Sequence, residues 1–251
     1  MDTTTLVLLH AFPLCSVMWE PQRRAFEGTV PLYLPDLPGF GTESRLDGER
    51  FSMKLAARFI QHELDARKID RCVLGGLSMG GYIAFECWRL FPERIAGMIL
   101  ADTRALSDTT EGRSKRFDSV VRIGQGDFPG FVEDTLKTLL AKETWNNHPE
   151  VVEVARILMR TADPQSVIEA QLGLAERPDS TATLGTITVP TAVIAGRHDA
   201  IVPIDEAREM AAAIPDAGCT IIERAGHLSN LENPEDFNAA VLGLLARVDG
   251  R

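Results

Sequence analysis

The sequence predicts an α/β fold in which helices cover both faces of a parallel sheet. Two observations support this. Short apolar segments alternate with helical segments at both ends of the chain, and the middle of the chain has helical periodicity alone. Such alternation is typical of parallel strands joined by crossover helices. With 251 residues, 45% of them hydrophobic, the chain is long enough to bury the core of one such domain.

The predicted elements follow in chain order. The strand candidates are apolar runs bounded by turn residues: Leu6–Leu9, Pro31–Leu34, Cys72–Gly75, Ile95–Ala101, Thr191–Ala195 and Thr220–Glu223. The helix candidates between them have apolar residues at helical spacing: Val17–Glu27, Met53–Arg67, Gly80–Phe91, Ile204–Ile214 and Pro234–Val248. The middle of the chain adds four helix candidates: Arg113–Gly124, Phe128–Ala141, Pro149–Arg160 and Pro164–Ala175.

The segment Gly75–Gly81 contains the pattern G-x-S-x-G, with Ser78 at its centre. This pattern predicts a sharp turn from a strand into a helix that lifts a serine hydroxyl above the edge of a sheet. The turn requires glycine at Gly76 and Gly80, because a Cβ there would collide with the turned chain. A strand candidate precedes the motif and a helix candidate follows it, which favours a nucleophile over an ordinary glycine-rich turn.

A nucleophilic serine needs a base, and the base needs a group that orients it. His227 lies in a Gly-His turn after one apolar strand candidate, and Asp199 lies in a loop after another. The carboxyl ends of parallel strands meet at one edge of a sheet, so Ser78, Asp199 and His227 are expected to meet there. Alone, a loop histidine or aspartate is usually solvated or caps a turn. The three together favour a catalytic triad.

Other residues compete for these roles. Asp102 ends the strand candidate that follows the serine motif, and it is an alternative to Asp199 as the acid. His198 is an alternative base, but one loop does not readily place both His198 and Asp199 in the required geometry. The remaining histidines are interpreted as structural or surface residues: His10, His62 and His148.

From residue 6 to about residue 248, the chain resembles the α/β-hydrolase superfamily, in particular its small serine esterases and lactonases. The order serine, acid, histidine is that of the superfamily. Two further segments, Leu8–Pro13 and Leu34–Gly41, are similar to loops that follow its early strands. The segment Gly196–Pro203 matches the group's usual acid loop, which favours Asp199 over Asp102. Asp102 is then expected to anchor the entrance of a cap, through Arg104 or through main-chain N–H groups.

The resemblance implies an α/β-hydrolase fold with a mostly parallel central sheet. It implies a core domain of residues 1–102 and 187–251, with a helical cap of residues 103–186 over the active-site edge. The alternative is that these helices extend the core away from the site. It also implies two N–H donors for an oxyanion. Met79, at the start of a helix, would supply one, and Phe12 the other by family analogy, although Ala11 stands where the family usually has glycine.

The expected activity is hydrolysis of a small carboxylic ester or lactone through an acyl-enzyme. Hydrolysis of an oxoadipate-type enol-lactone and cofactor-free perhydrolysis are alternatives on the same triad. A lactonase of that type acts on an anion, which requires a basic residue near the pocket, with Arg104 and Arg197 as candidates. An alternative of another class is a small-ligand receptor or regulatory protein on this fold.

Composition and motifs limit the classes of binding partner, the cellular location and the cofactors to be expected. A net charge of −10 and a pI near 5.0 argue against nucleic acid or an anionic membrane surface. The chain shows no signal-peptide pattern and no membrane-length apolar run, and its four cysteines form no C-x-x-C pair, so reduced thiols and a cytoplasmic location are expected. It contains no phosphate-cradle motif and no metal-ligand motif, which predicts neither cofactor nor metal. No signal for oligomeric state is present.

Overall fold

The structure, a computed structural model, describes residues 4–45 and 48–250. The outermost positions of the expected core domain, residues 1–3 and 251, lie outside this range, and so does the start of the segment searched for a signal peptide. The described residues form a sheet whose strands are β1 Thr5–Leu9, β2 Leu32–Tyr33, β3 Cys72–Leu77, β4 Ile95–Ala101, β5 Thr191–Gly196 and β6 Ala217–Ile222.

Helices of very different lengths connect the strands. The α-helices of the described ranges are α1 Glu20–Phe26, α2 Met53–Ala66, α3 Met79–Leu90, α4 Thr110–Gly124, α5 Phe128–Leu139, α6 Lys142–Asn147, α7 Pro149–Arg160, α8 Pro164–Ala175, α9 Thr181–Leu184, α10 Ile204–Ala213, α11 Ser229–Glu232 and α12 Pro234–Asp249. Short 3₁₀ turns at Ser16–Trp19 and Pro92–Arg94 precede α1 and β4. In the part of the chain described, no helix is both long and apolar enough to cross a membrane.

All six strands are parallel and lie in the order β2-β1-β3-β4-β5-β6. Every residue of β3, β4 and β5 is buried, because helices such as α3 and α12 pack on the sheet. The chain passes from β1 to β2 on one side and returns with β3 on the other, so strand order reverses between β1 and β3. Loops diverge at such a point and leave a crevice at the carboxyl edge.

The predicted fold class is confirmed, and the differences from the predicted elements are local. The segment expected as one helix, Val17–Glu27, is a 3₁₀ turn followed by α1. Strand β6 begins at Ala217 rather than Thr220 because it is an edge strand whose first residues are largely exposed and show no apolar pattern. Three short helices were not predicted, since four to six residues give too few turns for a periodic signal: α6, α9 and α11.

Glycine is required at the two glycine positions of the serine motif for different steric reasons. A Cβ at Gly76 would lie 2.1 Å from the main chain of Gly80, as expected for a closed turn. A Cβ at Gly80 would instead lie 2.2 Å from the carbonyl oxygen of Leu9, the last residue of β1. The expectation that Gly80 is limited by the turn itself was therefore wrong, since the close approach of β1 to α3 imposes the limit.

We expect Gly76→Ala to lower the free energy of unfolding by about 3 kcal/mol or more, because main chain must move to admit the methyl group. Gly243→Ala is the matched control. Gly243 lies on the exposed face of α12, with no atom within 4 Å of the added Cβ, so this change should raise stability by about 0.5–1 kcal/mol. Urea denaturation of both variants measures the difference. Equal stability of Gly76→Ala and wild type would contradict the steric account.

Candidate active site

Ser78 lies in the turn between β3 and α3 in a strained backbone conformation. Its φ is +53°, a value that residues with a Cβ rarely adopt. The end of strand β4 and the residues just after it hold this turn in place. The N–H of Ser78 donates to the carbonyl of Ala101 at 2.9 Å, and the hydroxyl of Thr103 donates to the carbonyl of Ser78 at 2.9 Å. The end of β4 therefore stabilises the conformation that exposes the serine hydroxyl.

Three side chains from three loops form one hydrogen-bonded line. Nε2 of His227 lies 2.8 Å from Oγ of Ser78, and Nδ1 of His227 lies 2.7 Å from Oδ2 of Asp199. The side chains of His227 and Asp199 are 2% and 0% exposed. Because a carboxylate only accepts, Nδ1 carries the ring proton and Nε2 is left to accept from the Ser78 hydroxyl. The ring is thereby oriented as a base toward Ser78.

The Asp199 carboxylate divides its two oxygens between its own loop and the histidine. Oδ1 accepts from the N–H groups of Ile201 at 2.7 Å and Val202 at 3.0 Å, and Oδ2 faces His227. The N–H of the preceding residue, His198, donates to the carbonyl of Ala225 at 2.8 Å, which joins the acid loop to the histidine loop. The His198 side chain, expected as a competing base, is exposed.

The environment of His227 strengthens it as a base. Burial alone would lower the pKa of its imidazole, but the charge of Asp199 and the hydrogen bond to it outweigh burial, so the pKa lies above the ordinary 6.5. Asp102 and Glu232 act in the same direction when they are ionised. A positive charge that develops on His227 when it takes a proton is therefore stabilised by the surrounding carboxylates.

Asp102 holds the loops that carry the triad residues. It is fully buried, with a positive φ of 45°. Its carboxylate accepts from the N–H of Gly196 at 2.8 Å, from the N–H of Ser229 at 3.3 Å and from the Ser229 hydroxyl. Burial, and then the negative charge of Asp199, raise the pKa of Asp102. Asp102 was expected to anchor the cap entrance through Arg104 or N–H groups, but its N–H partners lie in the core, at the end of β5 and after His227, and Arg104 pairs with Glu206.

Glu232 is a second, half-buried carboxylate behind the histidine, and sequence reasoning missed it. It accepts from the N–H groups of Gly226 at 2.9 Å and Leu228 at 3.2 Å, on either side of His227. It also accepts from the N–H of Ala141 at 2.8 Å and from the Thr144 hydroxyl. Burial raises the pKa of Glu232. In the sequence, only its position five residues after His227 and shortly before the last helix distinguishes Glu232.

The two expected oxyanion donors lie at the same cavity as Ser78. Met79 is the first residue of α3, where N–H groups have no acceptor within the helix and the partial positive charge of the helix end is available. Phe12 follows β1, across the reversal in strand order. The structure thus places both residues beside the serine, and their role as donors stays a prediction.

His10 fixes the loop that carries Phe12. The N–H of Leu37 donates to Nε2 of His10 at 3.0 Å, so Nδ1 carries the proton and donates to the carbonyl of Ala11 at 3.0 Å. Burial lowers the pKa of His10 to about 4, which keeps the ring neutral for this arrangement. The interpretation of His10 as structural agrees with these contacts.

The cavity above Ser78 has a volume of about 140 Å³ and is lined from two sides. The core contributes Ser78 and His227 among others. Helices α4, α5 and α8, all from the segment expected to be a cap, contribute further residues, such as Leu139 of α5. The carbonyl of Leu139 also accepts from the N–H of His227 at 2.8 Å. These helices therefore lie against the site, although the division into two domains stays a prediction.

The basic residue of the cavity is not one that the sequence indicated. Arg104 donates to the carbonyl of Ile201, and its Nε lies 3.1 Å from Glu206. Arg197 pairs with Glu223 at the surface. Neither lines the cavity with Ser78, although Arg104 contacts Ile201, which does. Arg116 of α4 lines it instead. In the sequence, Arg116 was one charged residue in a helix full of charges, and nothing local distinguished it.

The described residues contain no group of three or more His, Cys, Asp or Glu side chains that could hold a metal ion. The four cysteines are unpaired thiols: Cys15, Cys72 and Cys87 are buried and Cys219 is exposed. The side chains with polar groups that line the cavity are those of Ser78, Tyr82, Arg116, Thr135, Gln171 and His227.

Residues 6–240 of the chain match the alpha/beta hydrolase family. Among solved structures, the chain is similar to a thermophilic esterase from Thermogutta terrifontis, determined with malate bound. The identity is 37%, the TM-score is 0.94, and the match covers 98% of this chain and 90% of that one. It is also similar to the enol-lactonase from Burkholderia xenovorans LB400, with 23% identity, a TM-score of 0.89 and coverage of 98% and 92%.

Among curated proteins, a pimeloyl-[acyl-carrier protein] methyl ester esterase of Aliivibrio salmonicida is 25% identical to the chain over 241 residues. That match covers 94% of this chain and 90% of the relative. The similarity therefore extends over nearly the whole of both proteins, and it includes the loops that bring the three polar residues together.

We expect NMR titration of the histidine rings to separate His227 from His10. The His227 midpoint should lie above 6.5, whereas the His10 midpoint should lie at about 4. In Asp199→Asn the His227 midpoint should fall, because the charge and the hydrogen bond that favour the protonated ring are lost. A His227 midpoint below 6.5 in wild type, or one that Asp199→Asn leaves in place, would show that Asp199 does not control the ring.

Proposed function

The chain belongs to the alpha/beta hydrolase family and is a hydrolase of ester bonds, and on this basis we propose that Ser78, His227 and Asp199 cleave a small carboxylic ester through an acyl-enzyme. The continuous hydrogen-bonded line from Asp199 through His227 to Ser78, at the wall of a cavity, is the observation that carries this proposal. The named activities of an esterase relative and a methyl ester esterase relative support the ester bond as the target.

In the proposed mechanism, neutral His227 takes the proton of Ser78 as the serine oxygen attacks the ester carbonyl. Asp199 keeps the ring oriented and stabilises its positive charge. His227 then protonates the departing alcohol, which leaves an ester between the acyl group and Ser78. A water molecule, deprotonated by His227, attacks this acyl-enzyme and releases the acid.

The tetrahedral intermediates carry a negative charge on the former carbonyl oxygen. We assign the N–H groups of Met79 and Phe12 as its donors, because one starts a helix beside the nucleophile and the other lies across the crevice. A single donor of this kind contributes about 2.7–4 kcal/mol to the transition state. The His10 contacts matter here, since they limit how far the Phe12 loop can move from the oxygen.

We also propose that the helices of residues 103–186 act as a cap. They supply one wall of the cavity, and they are tied to the histidine loop through the contacts of Glu232 with Ala141 and Thr144. A wall of this kind excludes water from the acyl group and strengthens electrostatic interactions inside. Lactones and perhydrolysis remain alternative uses of the same residues, and a receptor role predicts binding without turnover.

We expect short acyl groups to be preferred, because a cavity of about 140 Å³ holds roughly a benzene-sized group. Steady-state hydrolysis of p-nitrophenyl acetate, butyrate and octanoate tests this. The specificity constant should be much lower for the octanoate, whose acyl chain exceeds that volume. Equal specificity constants for butyrate and octanoate would mean that the acyl group does not occupy this cavity.

We expect Ser78→Ala to lower kcat for p-nitrophenyl butyrate by about 10⁶-fold and Asp199→Asn by about 10⁴-fold, because the first removes the nucleophile and the second leaves the histidine ring in the wrong tautomer. Ser114→Ala, an exposed serine on α4, is the matched control and should retain wild-type kinetics. Full activity of Ser78→Ala would remove this serine from the mechanism. Binding of the ester without turnover by wild type would favour the receptor role.

A further inference from the structure

The cavity contains a positive side chain that the proposed ester mechanism does not use. Arg116 of α4 lines the same cavity as Ser78 and His227. Its side chain is 22% exposed, so it is largely withdrawn from bulk water. Because neither proton transfer nor oxyanion stabilisation needs a guanidinium there, its position calls for another explanation.

Two neighbours hold the Arg116 guanidinium in a defined orientation. Nε donates to the Asp108 carboxylate, and Nη1 donates to Oε1 of Gln171 at 2.9 Å. Gln171 is 5% exposed and also lines the cavity. These two contacts engage two of the five N–H donors of a guanidinium. The guanidinium is therefore held in place, and it keeps N–H donors that these two contacts do not use. A binding site for a further acceptor needs such donors.

Two guanidinium groups share one largely buried carboxylate here. Asp108 is shared by two guanidinium groups, since its other oxygen lies 2.7 Å from Nη1 of Arg177. Arg177 is 3% exposed at its side chain, and its Nε has no acceptor among the described residues. Asp179 also interacts with Arg177, but it lies at the surface, where water screens its charge. Arg177 is held further by the carbonyls of Leu174 and Leu106 and by the Tyr82 ring, so Arg116 is the guanidinium of this pair that lines the cavity.

An anion in the cavity would offset this excess charge. Burying an uncompensated charge is unfavourable, and a guanidinium pairs well with a planar carboxylate through two parallel N–H donors. The chain as a whole has a net charge of −10, so a general attraction of anions does not explain a positive cluster at this one place.

We propose that Arg116, held by Asp108 and Gln171, binds a carboxylate on the acyl part of the substrate. The preferred substrates are then half-esters of short dicarboxylic acids. A spacer of about two methylene groups between the ester carbonyl and the free carboxylate fits a cavity volume of about 140 Å³. This assignment rests on the proposed function, because it takes Ser78 as the point at which the ester carbonyl is held.

The reaction is an ordinary hydrolysis and needs no further reactant. The bond between the ester carbonyl carbon and the alcohol oxygen breaks, and the oxygen of water becomes bonded to that carbon. One proton of water ends on the alcohol, and the other is released when the new carboxyl group ionises. The products are the alcohol and the dicarboxylate, and the carboxylate at Arg116 keeps its charge throughout.

Two methyl esters of matched shape test the proposal. Monomethyl succinate carries the carboxylate, and methyl 4-methylpentanoate has an isopropyl group in its place. We expect wild type to prefer the half-ester and Arg116→Gln to reduce the ratio of the two specificity constants by about 10-fold to 100-fold, mainly through KM. Arg113→Gln, an exposed arginine one turn earlier on α4, removes the same charge and should leave the ratio unchanged.

The outcomes separate this proposal from the proposed function. No preference for the half-ester in wild type, or an unchanged ratio in Arg116→Gln, overturns the carboxylate site while ester hydrolysis by Ser78 stands. Failure of wild type to hydrolyse either ester, or hydrolysis that survives Ser78→Ala, overturns the proposed function as well. If Arg116→Gln does not fold, inhibition of wild type decides: succinate should inhibit neutral-ester hydrolysis at least about tenfold more strongly than butyrate, and equal inhibition overturns the proposal.

Discussion

The site depends on holding one imidazole between two partners that come from distant parts of the chain. The ring of His227 must keep hydrogen bonds of 2.8 Å and 2.7 Å to Ser78 and Asp199 at the same time. Hydrogen bonds weaken within a few tenths of an ångström, so small shifts of any one loop would break the line. The parallel sheet brings the three loops to one edge, but its register alone does not position side chains that finely.

Two carboxylates, one buried and one half-buried, supply the finer control. Asp102 ties the end of β5 to the segment after His227, and Glu232 ties both flanks of His227 to the segment after α5. Each accepts from several N–H or hydroxyl donors, which offsets the cost of its burial. When they are ionised, the same groups lie close enough to stabilise protonated His227. Positioning and electrostatic tuning are therefore done by the same groups.

The two sides of the cavity have different tasks. The sheet side carries the serine, its base and the expected oxyanion donors, all on short loops after strands. The helical side carries Arg116, Gln171 and Leu139, to which we assign the part of the substrate remote from the reacting bond. Residues that face the substrate on separate helices are one way in which a single fold hosts many functions.

The sequence by itself determined the fold class, nearly all the long elements and the meeting of Ser78, Asp199 and His227, because each is written in local patterns: apolar periodicity, a glycine-bounded turn and polar residues directly after strands. Only the tertiary structure decided that Asp102 anchors loops instead of facing the histidine, that Glu232 lies behind it, and that Arg116 rather than Arg104 or Arg197 reaches the cavity. These outcomes depend on contacts between segments far apart in the chain, where side-chain direction and burial are set by packing. No local spacing encodes them.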